Sequence, residues 1–177
     1  MAFLVRKLNK MDDIFSLNRE ADVLKIYADI PTTEFRTKKG TLSTWLINSL
    51  DEIENAILAI AITSSEITKM DFIIIDTKII IKNDLAYKQT YAGQDIAVPD
   101  LQNTHYDIFD ITIEKIVNCT KVYQEIVKED PNCNKYIIRY AAGDIKNVLK
   151  KAIQDKRIDE NKLSKRMKEQ LDKLKAS

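Results

Sequence analysis

The sequence predicts an α+β fold: a small mixed or antiparallel sheet of three to five strands packed against two long helices, with a helical C-terminal arm. Three observations support this. The apolar run Phe72–Ile75 is bracketed by aspartates, as in a strand covered on both faces. Residues 50–63 and 112–129 place apolar side chains at helical spacing. Residues 134–177 are helical in pattern and strongly basic.

Two more strands are expected before the first long helix. Residues 3–8 form a short apolar segment, and Leu42–Ile47 is rich in residues that favour strands. The only tryptophan, Trp45, is expected to anchor the core there. Between these strands, residues 14–30 fit a helix that ends before Pro31, since the residue preceding a proline is driven out of the helical region.

The first long helix has a start signal in the sequence. Ser49 is followed three residues later by Glu52, the spacing of a capping box, in which the serine oxygen accepts a backbone N–H and the glutamate reaches back. Apolar residues run almost all the way round residues 50–63. This pattern predicts a central, largely buried helix with Ile57 in its interior.

A hairpin and a loop are predicted between the two long helices. Ile79–Ile81 and Leu85–Tyr87 flank a polar turn, as two antiparallel strands would. Residues 88–111 follow no period and are predicted to form a structured loop, which at that length is usually functional. Asp110 is expected to cap the second long helix.

Residues 134–177 are predicted to form a basic helical arm on a core domain of residues 1–133. A helical segment is expected from Tyr136, divided near Gly143, and a terminal helix capped by Asp159. Lys and Arg outnumber Asp and Glu in the arm by 13 to 6, so its formal charge is +7 against −6 for the core.

The terminal helix carries a narrow apolar seam, formed by Leu163, Met167, Leu171 and Leu174. Each of these side chains gains on the order of 1.5 to 3 kcal/mol when fully buried, so the seam is expected to pack on a surface. We expect that surface to be a partner protein or a second copy, with Lys165 and Arg166 also in contact. Nucleic acid is an alternative, although interleaved acids and the lack of aromatic residues beyond Tyr140 disfavour it.

One cluster allows a catalytic alternative. His105, the only histidine, lies close to Asp107 and Asp110. Imidazole and carboxylates so near each other can bind a divalent metal, or a carboxylate can orient the imidazole as a general base, which would make the protein a metal-dependent hydrolase. An isolated histidine more often holds a loop in place by hydrogen bonds to the backbone, and we favour this structural role for His105. Cys119 lies off the apolar stripe, and no neighbour is placed to lower its pKa.

The sequence favours a cytoplasmic protein. Arg6 and Lys7 interrupt the N-terminal apolar residues too early for a signal peptide, and no apolar run approaches the roughly 20 residues that span a bilayer. The two cysteines form no disulfide or zinc pattern, and no cofactor is expected. The leading hypothesis is a non-enzymatic bacterial or phage accessory protein that binds a partner protein, or itself, through the arm.

Overall fold

The computed structural model describes residues 2–10, 14, 17, 26, 28–37, 39–91, 95–132 and 134–176. Within these ranges six strands form one antiparallel sheet: β1 (Phe3–Lys7), β2 (Leu42–Ile47), β3 (Met70–Asp76), β4 (Ala86–Gln89), β5 (His105–Phe109) and β6 (Ile137–Tyr140). Their order across the sheet is β4-β5-β2-β1-β3-β6. The predicted combination of helices with a sheet is confirmed, but the sheet is larger than the predicted three to five strands.

Helices cover both faces of this sheet. They are α1 (Asp29–Glu34), α2 (Ile53–Ile62), α3 (Thr77–Lys82), α4 (Ile113–Glu129), α5 (Ala142–Gln154) and α6 (Lys165–Lys175). Helices α2, α5 and α6 enclose one core, while α1, α3 and α4 enclose the other. The described chain is therefore three layers thick, and none of its helices is long and apolar enough to cross a membrane.

The central strands supply both cores. Phe72 and Ile74 of β3 point into the first core, and Ile73 and Ile75 point into the second. All four are at most 2% exposed, which confirms the prediction of a strand covered on both faces. Trp45 is also buried in the first core.

The predicted hairpin is half wrong, because Ile79–Ile81 lies in helix α3 and only β4 is a strand. The side chain of Asp76 caps α3 by accepting the N–H of Lys78 at 2.8 Å. Capping an N-terminus in this way stabilises a helix by about 1 kcal/mol. Together with burial of Ile80, the cap overrides the strand preference of three consecutive isoleucines.

Two further segments predicted otherwise are strands. Part of the expected loop 88–111 is β5, and the segment from Tyr136, expected to be helical, contains β6. The carboxylate of Asp130 sets the start of β6 by accepting the backbone N–H groups of four residues at 2.7 to 3.0 Å: Asn134, Lys135, Tyr136 and Ile137. Residues 134–176 thus contribute an edge strand, β6, and two helices, α5 and α6, to the same three-layer fold.

Three predicted helix starts differ from the structure. Ser49 makes no capping bond; a 3₁₀ turn, Leu50–Glu52, comes first, and Glu52 instead accepts the N–H of Asn48 at 2.8 Å. Thr112, not Asp110, caps α4. Asp159 caps a 3₁₀ turn, and Ser164 caps α6 by accepting the N–H of Met167. At α4 and α6 the hydroxyl that directly precedes the first helical turn provides the cap.

The first predicted helix falls mostly outside the described residues. Of residues 14–30, the structure describes 14, 17, 26 and 28–30. Pro31 lies inside α1 and does not follow a helix. Proline is tolerated in the first turn, where its missing N–H has no partner to lose.

Candidate functional site

The apolar seam of the terminal helix faces the protein's own core. Met167, Leu171 and Leu174 are 0%, 1% and 9% exposed, and they pack in the same core as α2 and α5. Leu163 is half-buried against that core. The seam was correctly predicted to be covered, but in this structure the covering surface belongs to the chain itself. Binding of a partner at these apolar residues would require α6 to leave the core.

Polar bonds also hold α6 in place. The side chain of Gln170 accepts the N–H of Ile67 at 2.8 Å and donates to the carbonyl of Ser65 at 2.8 Å. One amide therefore satisfies two backbone groups in the turn after α2. Sequence reasoning missed Gln170 because its partners lie 103 and 105 residues away.

Part of the charge asymmetry is offset by ion pairs within the chain. Three ion pairs connect residues beyond 134 to acids in the rest of the chain: Arg139–Asp71 at 2.7 Å, Lys151–Glu54 at 3.1 Å and Arg157–Asp100 at 2.7 Å. Arg157 also donates to Asn55 at 2.9 Å. These contacts account for part of the excess of bases after residue 134. Each pair is partly exposed, so its net stabilisation is modest.

The outer side of α6 carries several further bases. The predicted contact residues Lys165 and Arg166 are exposed, as are Lys168 and Lys173. None of the four forms an ion pair with any residue that the structure describes, whereas Lys175 contacts Glu160 at 2.6 Å. The helix therefore presents free cations outward while its apolar residues face inward.

His105 and Asp107 come together on β5, but they form a buried anchor. His105 Nε2 lies 4.0 Å from Asp107 Oδ1, and Nδ1 lies 2.7 Å from the hydroxyl of Thr90. Burial lowers the pKa of His105, and the Asp107 carboxylate opposes this by raising it. The imidazole is therefore mainly neutral at pH 7. Asp107 Oδ1 is buried with no hydrogen-bond partner in the structure.

The third member of the predicted cluster is set apart. Asp110 is exposed, follows the end of β5 and has a positive φ of 57°. Across the described ranges, no group of three or more His, Cys, Asp or Glu side chains is arranged to hold a metal ion. The geometry therefore gives no support to a metal centre at His105, Asp107 and Asp110.

Three other chemically reactive side chains are buried or have structural partners. Burial raises the pKa of Cys119 to about 12, so its thiol is protonated at neutral pH. The carboxylates at the two ends of β3 have structural roles, since Asp71 pairs with Arg139 and Asp76 caps α3.

A buried ion pair was missed by sequence reasoning. Arg6 of β1 donates to the carbonyls of Ser43 at 3.2 Å and Glu34 at 3.0 Å, and its Nε lies 3.5 Å from Glu34 Oε1. Burial raises the pKa of Glu34, while the N–H of Asn9, at 2.9 Å from Oε2, and the charge of Arg6 oppose this rise. The hydroxyl of Tyr123 donates to Glu34 at 3.4 Å. The only signal in the sequence was an arginine directly after the apolar residues of β1.

Known proteins supply no further assignment. No family model, no curated protein and no solved structure matches this chain. Two surfaces of the described chain therefore remain as candidates for binding. One is the set of free cations on α6, and the other is the environment of Arg6.

Proposed function

We propose that this chain is a non-enzymatic accessory protein that docks onto an acidic surface of a partner protein through the outer face of α6. The observation that carries the proposal is the set of four exposed cations without ion pairs among the described residues: Lys165, Arg166, Lys168 and Lys173. They lie on a helix whose opposite side is anchored in the core.

Anchoring the helix favours binding. Met167 and Leu171 are buried, so α6 does not have to fold when a partner arrives. A preformed site avoids the entropy cost of ordering the backbone during association. Clustered cations also attract acidic surfaces from a distance, which raises the association rate at low salt.

Protein is favoured over nucleic acid as the partner. Glu169 and Asp172 lie among the cations of α6 and would repel a continuous row of phosphates. The helix contains no aromatic residue on which a base could stack. A partner surface with separated acidic groups fits this mixed pattern better.

Binding to defined acidic polymers tests the proposal. Full-length protein would be titrated with a poly-glutamate peptide and with double-stranded DNA at several salt concentrations. One variant replaces Lys165, Arg166, Lys168 and Lys173 with Gln. Its control replaces four other exposed lysines with Gln: Lys69, Lys78, Lys121 and Lys128.

We expect salt-sensitive binding of the peptide that falls at least tenfold in the α6 variant and is kept in the control. Equal losses in both variants would mean that the binding depends only on overall charge. Preferential binding of DNA would favour the nucleic-acid alternative. Sedimentation of the same samples would show whether copies of the chain associate, and loss of a dimer in the α6 variant alone would identify the partner as a second copy.

A further inference from the structure

A second basic site lies away from α6, between β1, β2 and the turn that follows α1. It is a pocket of about 380 Å³. Three cations and three hydroxyls line it: Arg6, Arg36, Lys39, Thr37, Thr41 and Ser43. We infer that this basic pocket binds the phosphate group of a small, hydrophilic molecule. The inference is independent of the docking proposed for α6.

Arg6 is fixed before any ligand arrives. Its two terminal nitrogens donate to the carbonyls of Ser43 and Glu34, and its side chain is only 14% exposed. Guanidinium carries five N–H donors, more than these two bonds use, and Arg6 lines the pocket. A cation held in place, in a region of reduced solvent, binds an anion at little entropy cost.

The other two cations are available. Arg36 and Lys39 are exposed and form no ion pair with any residue in the described part of the chain. The turn that carries them is closed by one internal bond and held at its Gly40 end. Thr37 Oγ1 accepts the N–H of Gly40 at 3.1 Å, and the carbonyl of Gly40 accepts the N–H of Ile111 at 2.9 Å.

The turn also depends on glycine. Gly40 has a φ of +67°, a left-handed conformation in which a side chain is strained. This conformation lets the backbone between Lys39 and β2 reverse within a few residues. The turn thereby holds Arg36 and Lys39 on the same pocket as Arg6.

The composition of the pocket indicates the class of ligand. Among the lining residues that the structure describes there is no carboxylate; Glu34 pairs with Arg6 and offsets only part of the charge of the three cations. Arginine matches phosphate through paired N–H groups, and lysine adds a point charge. The hydroxyls can bond to a polyol, while the described lining residues include no aromatic ring on which a nucleobase could stack.

A larger pocket in the same structure shows the contrast. It encloses about 420 Å³ beside β6, where Glu54 and Asp144 lie together with Arg139 and Lys151. Its acids and bases offset each other, so it offers no net attraction to an anion. Among these two pockets, only the one at Arg6 concentrates a single sign of charge.

Calorimetry and phosphorus NMR would test the inference with inorganic phosphate and glycerol 3-phosphate, at low ionic strength, and with acetate as the control anion. The variant Arg36→Gln/Lys39→Gln changes two exposed side chains and should fold normally. Its matched control is Lys69→Gln/Lys78→Gln, which also removes two exposed cations. Thermal melting of each variant would verify folding.

We expect saturable binding of a phosphate probe that weakens at least tenfold in Arg36→Gln/Lys39→Gln and is retained in the control. Acetate should bind at least tenfold more weakly than phosphate. Absence of saturable phosphate binding at millimolar concentration would overturn the inference. Equal weakening in both variants would do so as well, because it would show a nonspecific effect of charge.

Discussion

Trp45 and His105 lie opposite each other on β2 and β5, and their rings meet edge to face with centroids 4.9 Å apart. Burial lowers the pKa of His105 below that of the unfolded chain, near 6.5, despite the opposing effect of Asp107. Protonation therefore favours the unfolded state. The contribution to stability is complete above about pH 6.5 and is lost as the pH falls below it.

Denaturant titrations between pH 5 and 7.5 would measure this effect. The free energy of unfolding should decrease on acidification by up to about 1.4 kcal/mol per pH unit from this one group. His105→Gln should make the free energy of unfolding depend less steeply on pH below pH 6.5. Identical slopes for the two proteins would show that His105 is not held neutral by the fold.

Divalent metals should leave the melting temperature unchanged. Nδ1 of His105 is occupied by Thr90, and Asp110 lies beyond β5, so the three side chains first considered as ligands do not converge. The measurement is thermal melting with manganese or zinc. A reproducible rise that disappears in His105→Ala would contradict this expectation, because a ligand that binds only the folded state raises its stability.

Ile57 should contribute far more to stability than Ser49. Ile57 is fully buried, so Ile57→Ala should cost roughly 2 to 5 kcal/mol through lost burial and a cavity. Ser49 makes no capping bond, and Ser49→Ala should change stability by less than about 0.5 kcal/mol. Ser164→Ala, which removes a real cap, should cost about 1 kcal/mol. Urea titrations would rank the three, and a larger loss at Ser49 than at Ser164 would contradict the observed caps.

Removal of the terminal helix should destabilise the remaining chain. The sequence analysis expected the seam to pack on a partner protein or a second copy, which would leave a shortened core folded, but burial of Met167 and Leu171 supports the opposite outcome. Deleting residues 164–177 should lower the melting temperature and expose apolar surface. Leu171→Ala should cost roughly 2 to 5 kcal/mol, while Lys165→Ala, on the exposed face, should be nearly neutral. Equal melting of the full and shortened chains would refute intramolecular docking of α6.

Asp130 should stabilise the start of β6, the strand at one edge of the sheet. Burial raises the pKa of its carboxyl, but the four backbone N–H bonds outweigh this effect, and the net pKa is lowered. Its contribution is therefore present above the unfolded value, near 3.9, and is lost as the pH falls through the lower folded value. Asp130→Ala should be destabilising, since each buried N–H left without a partner costs about 1 to 3 kcal/mol. Hydrogen exchange at Ile137 would measure the local effect, and unchanged protection would contradict it.

Sequence reasoning succeeded where one strong local pattern decides the structure. The apolar run at Phe72–Ile75 and the strand formers at Leu42–Ile47 both gave strands, and the helical period after Thr112 gave α4. Sequence reasoning failed where a neighbouring residue or a distant contact determines the secondary structure of a segment. The isoleucines after Asp76 became helical because of a cap, and His105–Phe109 was hidden as a strand because two of its buried side chains are polar.

The candidate sites were likewise predictable only where a local pattern determines them. The helical spacing of apolar residues in α6 predicted that Met167 and Leu171 are buried. This spacing does not identify the surface that buries them. The basic pocket was not predicted, because Arg6 and Lys39 are separated by 32 intervening positions and meet only through sheet pairing. The buried partner Glu34 also gave no sequence signal, as its role depends on tertiary contacts.

The position of β6 has a consequence for the time course of synthesis. β3 is bordered by β1 and β6, yet about 60 residues separate the end of β3 from the start of β6. A ribosome adding about 5 to 20 residues per second needs roughly 3 to 12 s to make that stretch. Throughout this interval one edge of the chain's most apolar strand lacks its native neighbour. An unpaired apolar edge can join the same edge of another nascent chain, so we expect yield in the cell to depend on translation speed and on chaperones that cover β3.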